Sequence, residues 1–236
     1  MSALLRSELL KVRTVRTYLW LLLATMALVL IASISVSASS GTIGSAADDR
    51  AVAQIAAIAL VFALMAGIIV MAGEVTHGTV TQTLLATPVR ERVVLAKAGV
   101  AALMAIGLAL LAELLVLAIT VPGASLHFHN ARLVFLGILL AAPLVGVLGV
   151  GLGGVVKSQG SGIAVSLVWL LIGEHIVLLI DESLSKYSPA RAFAALASGQ
   201  RSGHDLLGMG AGAATSVAWT VLFVAFGLLV FLGRDV

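Results

Sequence analysis

Six long apolar runs divide this chain, and each is long enough to cross a lipid bilayer as a helix. They occupy residues 18–38, 51–73, 93–121, 133–156, 163–180 and 211–232. A helix needs about 20 apolar residues to span the hydrocarbon core. Composition agrees: 61% of residues are hydrophobic and 11% are charged, against about 45–50% apolar and about 25% charged in soluble domains. The fold class expected is therefore all-α: a polytopic membrane protein forming one transmembrane domain over residues 1–236. Cysteine is absent, which excludes disulfide and thiolate chemistry. No basic block resembles a nucleic-acid-binding arm. The first run is too long for a signal peptide's apolar core and follows four basic residues, so no cleaved leader is expected.

Loop charge sets the expected orientation, because basic residues gather on the cytoplasmic side. The two ends and the even-numbered loops carry nine: Arg6, Lys11, Arg13, Arg16, Arg90, Arg92, Lys97, Lys157 and Arg234. The odd-numbered loops carry five: Arg50, Arg132, Lys186, Arg191 and Arg201. Both termini are thus expected in the cytoplasm, with Tyr18 and Trp20 as anchors at the inner interface.

Three connecting segments have their own patterns. In residues 2–17, Leu4, Leu5, Leu9, Val12 and Val15 fall on one helical arc and Arg6, Arg13, Thr14 and Thr17 on the other, while Leu10 and Arg16 break the pattern. Such a helix can lie in the headgroup plane in contact with lipid, although the charges alone would also serve topology. The external segment 181–205 contains Ser188-Pro189, an N-cap followed by proline at the first helical position. A short apolar helix over 190–197 is expected there, with an exposed loop as the alternative. Residues 74–92 read EVTHGTVTQTLLATPVRER. Gly78-Thr79 permits a break, 79–86 suits a short helix with Leu84 and Leu85 apolar, and Thr87-Pro88 ends it. A short helix slung between two spans can dock on a soluble partner and relay its movement; the plainer reading is a polar connector.

Ionisable groups inside the hydrocarbon are costly and usually face a bundle interior or a wet cavity. Glu113 in the third run and Glu174 and His175 in the fifth are the candidates for a substrate path or polar gate. The competing reading pairs them with Ser, Thr or backbone groups as packing devices. The fourth run holds Pro143, Gly146, Gly149, Gly151, Gly153 and Gly154, which favours close helix packing or, alternatively, a hinge.

Several chemistries are excluded. The nearest approach to a phosphate-binding loop, GLGGVVKS over 151–158, lacks the glycine required at Val156 and ends a membrane helix instead of following a strand. No HExxH occurs. Gln159-Gly160-Ser161-Gly162 faintly resembles a rhomboid serine motif, yet His175 would lie about 20 Å along the helix, far outside proton-transfer reach. No catalytic residue and no metal ligand set is expected in the chain.

Glu74-x3-Gly78-Thr79, then Leu84-Leu85-Ala86-Thr87-Pro88, Arg92 and Lys97 resembles the first cytoplasmic loop of ABC-2 type ABC transporter permeases. The opening SALLRSELLKVRT and the six-span layout are similar to that family as well. The likeness covers the whole chain in layout and about 25 residues in motif. It implies a membrane subunit that pairs with a second permease, a copy or a relative, and with two copies of a cytoplasmic ATP-binding subunit, which would hold the ATP and Mg. Segment 74–92 would be the coupling helix, with Glu74, Gly78, Thr79, Leu84, Leu85, Pro88, Arg90 and Arg92 as ATPase-coupling residues. The cargo would be a drug, lipid or peptide exported across the cell membrane. The alternatives are a stand-alone secondary carrier, disfavoured by the lack of an internal repeat, and a non-transport membrane subunit.

Overall fold

The computed structural model describes residues 2–39, 45–79, 89–124, 126–156, 158–200 and 206–233. Every regular element among them is helical. In chain order these are α1 (Ser2–Thr14), α2 (Arg16–Ser39), α3 (Ala46–Ala53), α4 (Ile58–Thr76), α5 (Arg90–Ala124), α6 (Phe128–Val155), α7 (Gln159–Val168), α8 (Glu174–Ile180), α9 (Glu182–Ser185), α10 (Pro189–Ala197) and α11 (Met209–Leu232). A 3₁₀ turn, Gln54–Ala57, fuses α3 to α4, and a π turn, Trp169–Gly173, fuses α7 to α8. Counting these fusions as single spans, six helices are long and apolar enough to cross a membrane.

The ends of the spans follow local capping chemistry, and several spans reach beyond their apolar runs. Span two begins at Ala46, not Ala51, because Ser45 and Asp48 close a capping box in which each side chain takes the other's backbone N–H. At its far end, Gly78 adopts φ +67°. The Gly78 N–H then reaches Val75 O at 3.3 Å and the Thr79 N–H reaches Glu74 O at 3.0 Å. This pairing closes a helix with a left-handed residue just past its end, and a residue with a Cβ resists that φ. Span five starts at Gln159 because the Ser158 hydroxyl accepts the Ser161 N–H.

Spans two and four form the centre, and both bury most of their length. Glycine lets their backbones approach: a Cβ on Gly67 would strike the Gly146 carbonyl oxygen. On another face of α6, a Cβ on Gly227 of α11 would strike the backbone of Gly151. The helix continues through Pro143 to Val155. The glycines of span four therefore serve close packing in this structure. α5 packs on both central spans, α2 lies chiefly against α5, and α10 is laid over α6 and α11. The expected short helix within 181–205 is present, and its Phe193 and Leu196 are buried.

Candidate functional site

α1 turns toward the bundle a face centred on Glu8, with Leu5 and Val12 half-buried beside it, while Leu9 and Leu10 are exposed. The expected arc is thus split: Leu5 and Val12 lie beside Glu8, while Leu9 and Val15 are exposed. Glu8 is 3% exposed, and its partners explain how a carboxylate can be there. Lys97, on the first turns of α5 and 2% exposed, places its Nζ 3.0 Å from Glu8 Oε2 and 2.9 Å from Glu74 Oε1. It also donates to Val70 O at 3.1 Å. Lys11 Nζ donates to Glu8 Oε1 at 2.5 Å and to Glu74 Oε1 at 2.6 Å.

Two carboxylates and two ammonium groups, from α1, α4 and α5, therefore close an electrically neutral quartet. Neutrality and mutual hydrogen bonding are what make burial tolerable, since isolated charges lose several kcal/mol of solvation each. Lys11 is the member nearest solvent, with its side chain 44% exposed. Partial burial pulls its pKa down, but hydrogen bonds to the Glu74 and Glu8 carboxylates outweigh this and hold it above the ordinary lysine value.

The same pole of the bundle gathers two more ties. Arg90, at the start of α5, donates through Nη1 to Phe231 O and Leu232 O, both at 3.0 Å. It thereby satisfies carbonyls that the end of α11 leaves open, and its guanidinium lies 6.0 Å from the Phe231 ring centroid. The Gln159 N–H donates to Thr76 Oγ1 at 3.0 Å, joining the start of span five to the end of span two. Segment 74–92 is thus anchored on both sides. Glu74 and Arg90 hold its ends, Gly78 and Thr79 form the helix stop, and Arg92 is exposed. Leu84, Leu85 and Pro88 lie outside the described residues, as does the expected coupling helix.

The membrane-depth candidates separate. Glu174 is 7% exposed and fully engaged. It accepts from Trp169 Nε1 at 3.0 Å and from the Ala190 N–H at 3.0 Å, and the Ser188 hydroxyl donates to its other oxygen. The carboxylate thus caps the N-terminus of α10, where open N–H groups favour negative charge. The π turn brings Trp169 round to Glu174, five residues on, and a Cβ on Gly173 would enter the Trp169 ring. His175, the next residue of the helix, is about 100° round from Glu174 and is exposed. Glu113 is 8% exposed, and its Oε1 has no hydrogen-bond partner among the described residues. Glu113 and Glu174 sit on spans with little direct contact, so the structure does not gather them into one site.

At the opposite pole, Asp49 is 2% exposed. It accepts the His127 N–H at 3.1 Å and Asn130 Nδ2 at 2.7 Å, which joins α3 to the start of α6. No group of three or more His, Cys, Asp or Glu suited to a metal occurs among the described residues.

Sequence reading passed over Glu8 as a participant and took Lys97 as a topology charge and a position of the loop motif, with no counter-charge assigned to it. Signals for both were present. Glu8 is the one acid in residues 2–17 and sits three residues before Lys11, and a lysine inside an apolar run demands a counter-charge. No protein-family model matches the chain, and no curated protein matches it either.

Proposed function

We propose that this chain is the membrane-spanning permease subunit of an ATP-driven exporter of the ABC-2 type. In this reading, separate cytoplasmic ATP-binding subunits hold ATP and Mg, and a second permease completes the path for a hydrophobic or amphiphilic cargo. Both termini lie in the cytoplasm, and α1 lies along the inner membrane surface. The observation that carries the reading is the bracing of segment 74–92. One end is fixed by the Glu8–Lys11–Glu74–Lys97 quartet and the other by Arg90 on the end of α11. A load applied to a segment so held moves α1, α4, α5 and α11 together. That is what coupling to a soluble motor requires, whereas a slack connector would absorb the motion.

The chemistry asked of this chain is mechanical. The ATPase pair closes on ATP, and its closed form binds one arrangement of the coupling segment better than the other. That difference in affinity alone sets how far the spans shift between inward- and outward-facing states. Residues Leu84, Leu85 and Arg92 are assigned to the contact by the loop motif.

The test is co-purification from native membranes of the wild-type chain and of a variant with Leu84, Leu85 and Arg92 replaced by alanine. Wild type brings down an ATP-hydrolysing subunit, and the variant loses it while keeping its own melting temperature. Recovery of no ATPase with wild type would overturn the reading and move a secondary carrier or a non-transport subunit to the front.

A further inference from the structure

Buried hydroxyls in this bundle mostly donate to a carbonyl one turn back: Thr25 to Leu21 O at 2.7 Å on α2, and Thr120 to Val116 O at 2.7 Å on α5. On the same two helices, three buried polar atoms do not: Ser33 Oγ, Ser37 Oγ and Glu113 Oε1 have no hydrogen-bond partner among the described residues. Ser33 is fully buried and Glu113 is more than nine-tenths buried. An ionised carboxylate at such a place is costly until it takes up a positive charge, as a proton or as a cationic group.

Ser33 and Glu113 stand at a similar height, and Ser37 one turn higher. Tyr18 of α2 lies within electrostatic reach of Glu8 and Glu74, the partners of Lys97. From Tyr18 to Ser33, and from Lys97 to Glu113, the rise is about 23 Å in each case along parallel helices. Ser37 lies one turn beyond Ser33 on the same face. α2 presents to its neighbours a stripe of Leu21, Thr25, Val29 and Ser33 at four-residue steps, all buried, and its chief neighbour is α5. The polar layer is close to the lipid. Leu110 and Leu114, on either side of Glu113, and Ile34, next to Ser33, are all exposed.

The geometry points to a membrane-embedded seat, formed by Glu113, Ser33 and Ser37, for the primary ammonium head of a lipophilic amine that enters sideways from the bilayer. An ammonium has three N–H donors, and the layer offers one carboxylate and two hydroxyl oxygens. A bound metal cation would need more oxygens, and the carbonyls nearby are committed to helix hydrogen bonds. The aliphatic tail rests against Leu110, Leu114 and Ile34, so only the head leaves the lipid. The proposal stands on these side chains and does not rest on the permease reading.

The test is equilibrium binding of radiolabelled dodecylammonium to the full-length chain in zwitterionic nanodiscs at neutral pH, corrected with empty nanodiscs. A saturable site is expected. Dodecyltrimethylammonium keeps the charge and the tail but has no N–H, and it competes about tenfold or more weakly. Glu113→Gln removes the saturable component, and Ser33→Ala with Ser37→Ala weakens it about tenfold. Absence of saturable binding would overturn the proposal. So would unchanged binding in Glu113→Gln, equal competition by the trimethyl compound, or displacement by sodium chloride with no effect of choline chloride. Should Glu113→Gln fail to fold, the double serine variant and the trimethyl comparison decide the matter.

Discussion

Lys97 is among the largest fully buried side chains of the molecule, yet its neighbours make it a structural asset. Removing it leaves two carboxylates facing one ammonium. Lys97→Met is therefore expected to destabilise the chain by about 3–5 kcal/mol, the cost of an uncompensated buried charge. Adding Glu8→Leu restores neutrality, and the double variant should regain most of that loss. Thermal unfolding in one detergent checks this, and a double variant no better than the single one would refute the neutrality argument. Lys11 gives the pH dependence. Its folded-state pKa is raised, so its contribution is fully present below the ordinary lysine value of about 10.4 and fades as pH rises through the folded value. A spin label on Ser7→Cys, free of background in a cysteine-free chain, should become mobile only in that alkaline window.

Among elements, the π turn and α10 act as one device. Glu174 collects donors from Trp169, Ser188 and Ala190, so Glu174→Ala leaves three donors without their acceptor, the Ser188 hydroxyl in a buried place and the other two in partly buried ones. Each costs about 1–3 kcal/mol when left without an acceptor. The expected result is a lower melting temperature together with a red-shifted Trp169 emission, measured with Trp20 and Trp219 replaced by Phe. His175→Ala, at an exposed position of the same helix, should leave both unchanged. The α6–α11 contact makes a second prediction. Gly227→Leu places a branched side chain against the backbone of Gly151 and should separate the two helices. The loss should equal that of a severe overpacking, about 1–3 kcal/mol or more, and Gly210→Leu, which faces open space, should cost little.

For the molecule as a whole, the six spans and the short helix α10 were legible because apolar run length and the Ser188-Pro189 pair are local signals. The earlier start of span two was missed, although Ser45 and Asp48 carry its capping signal. The quartet was not legible, since its members are separated by up to 89 positions in sequence and no periodicity links them. Nor was the π turn, which depends on the space over Gly173 and not on any residue pattern. Of the ionisable candidates, Glu174 proved to have a full set of partners and Glu113 none among the described residues, a difference that composition cannot disclose. Span five is the least buried of the six and is tied to the others through Thr76 and α10. It should be the first to lose amide protection in hydrogen exchange, ahead of α4 and α6.

The reach of the quartet also sets a timetable for the growing chain. α1 is made before α4 and α5, yet one of the two ammonium groups that let Glu8 leave water belongs to residue 97, so α1 has to wait until two spans are complete and a third has begun. Chains released after residue 90 should leave α1 open to protease, and chains released after residue 124 should shield it. A helix translated before both its partners is thus, in order of assembly, one of the later parts.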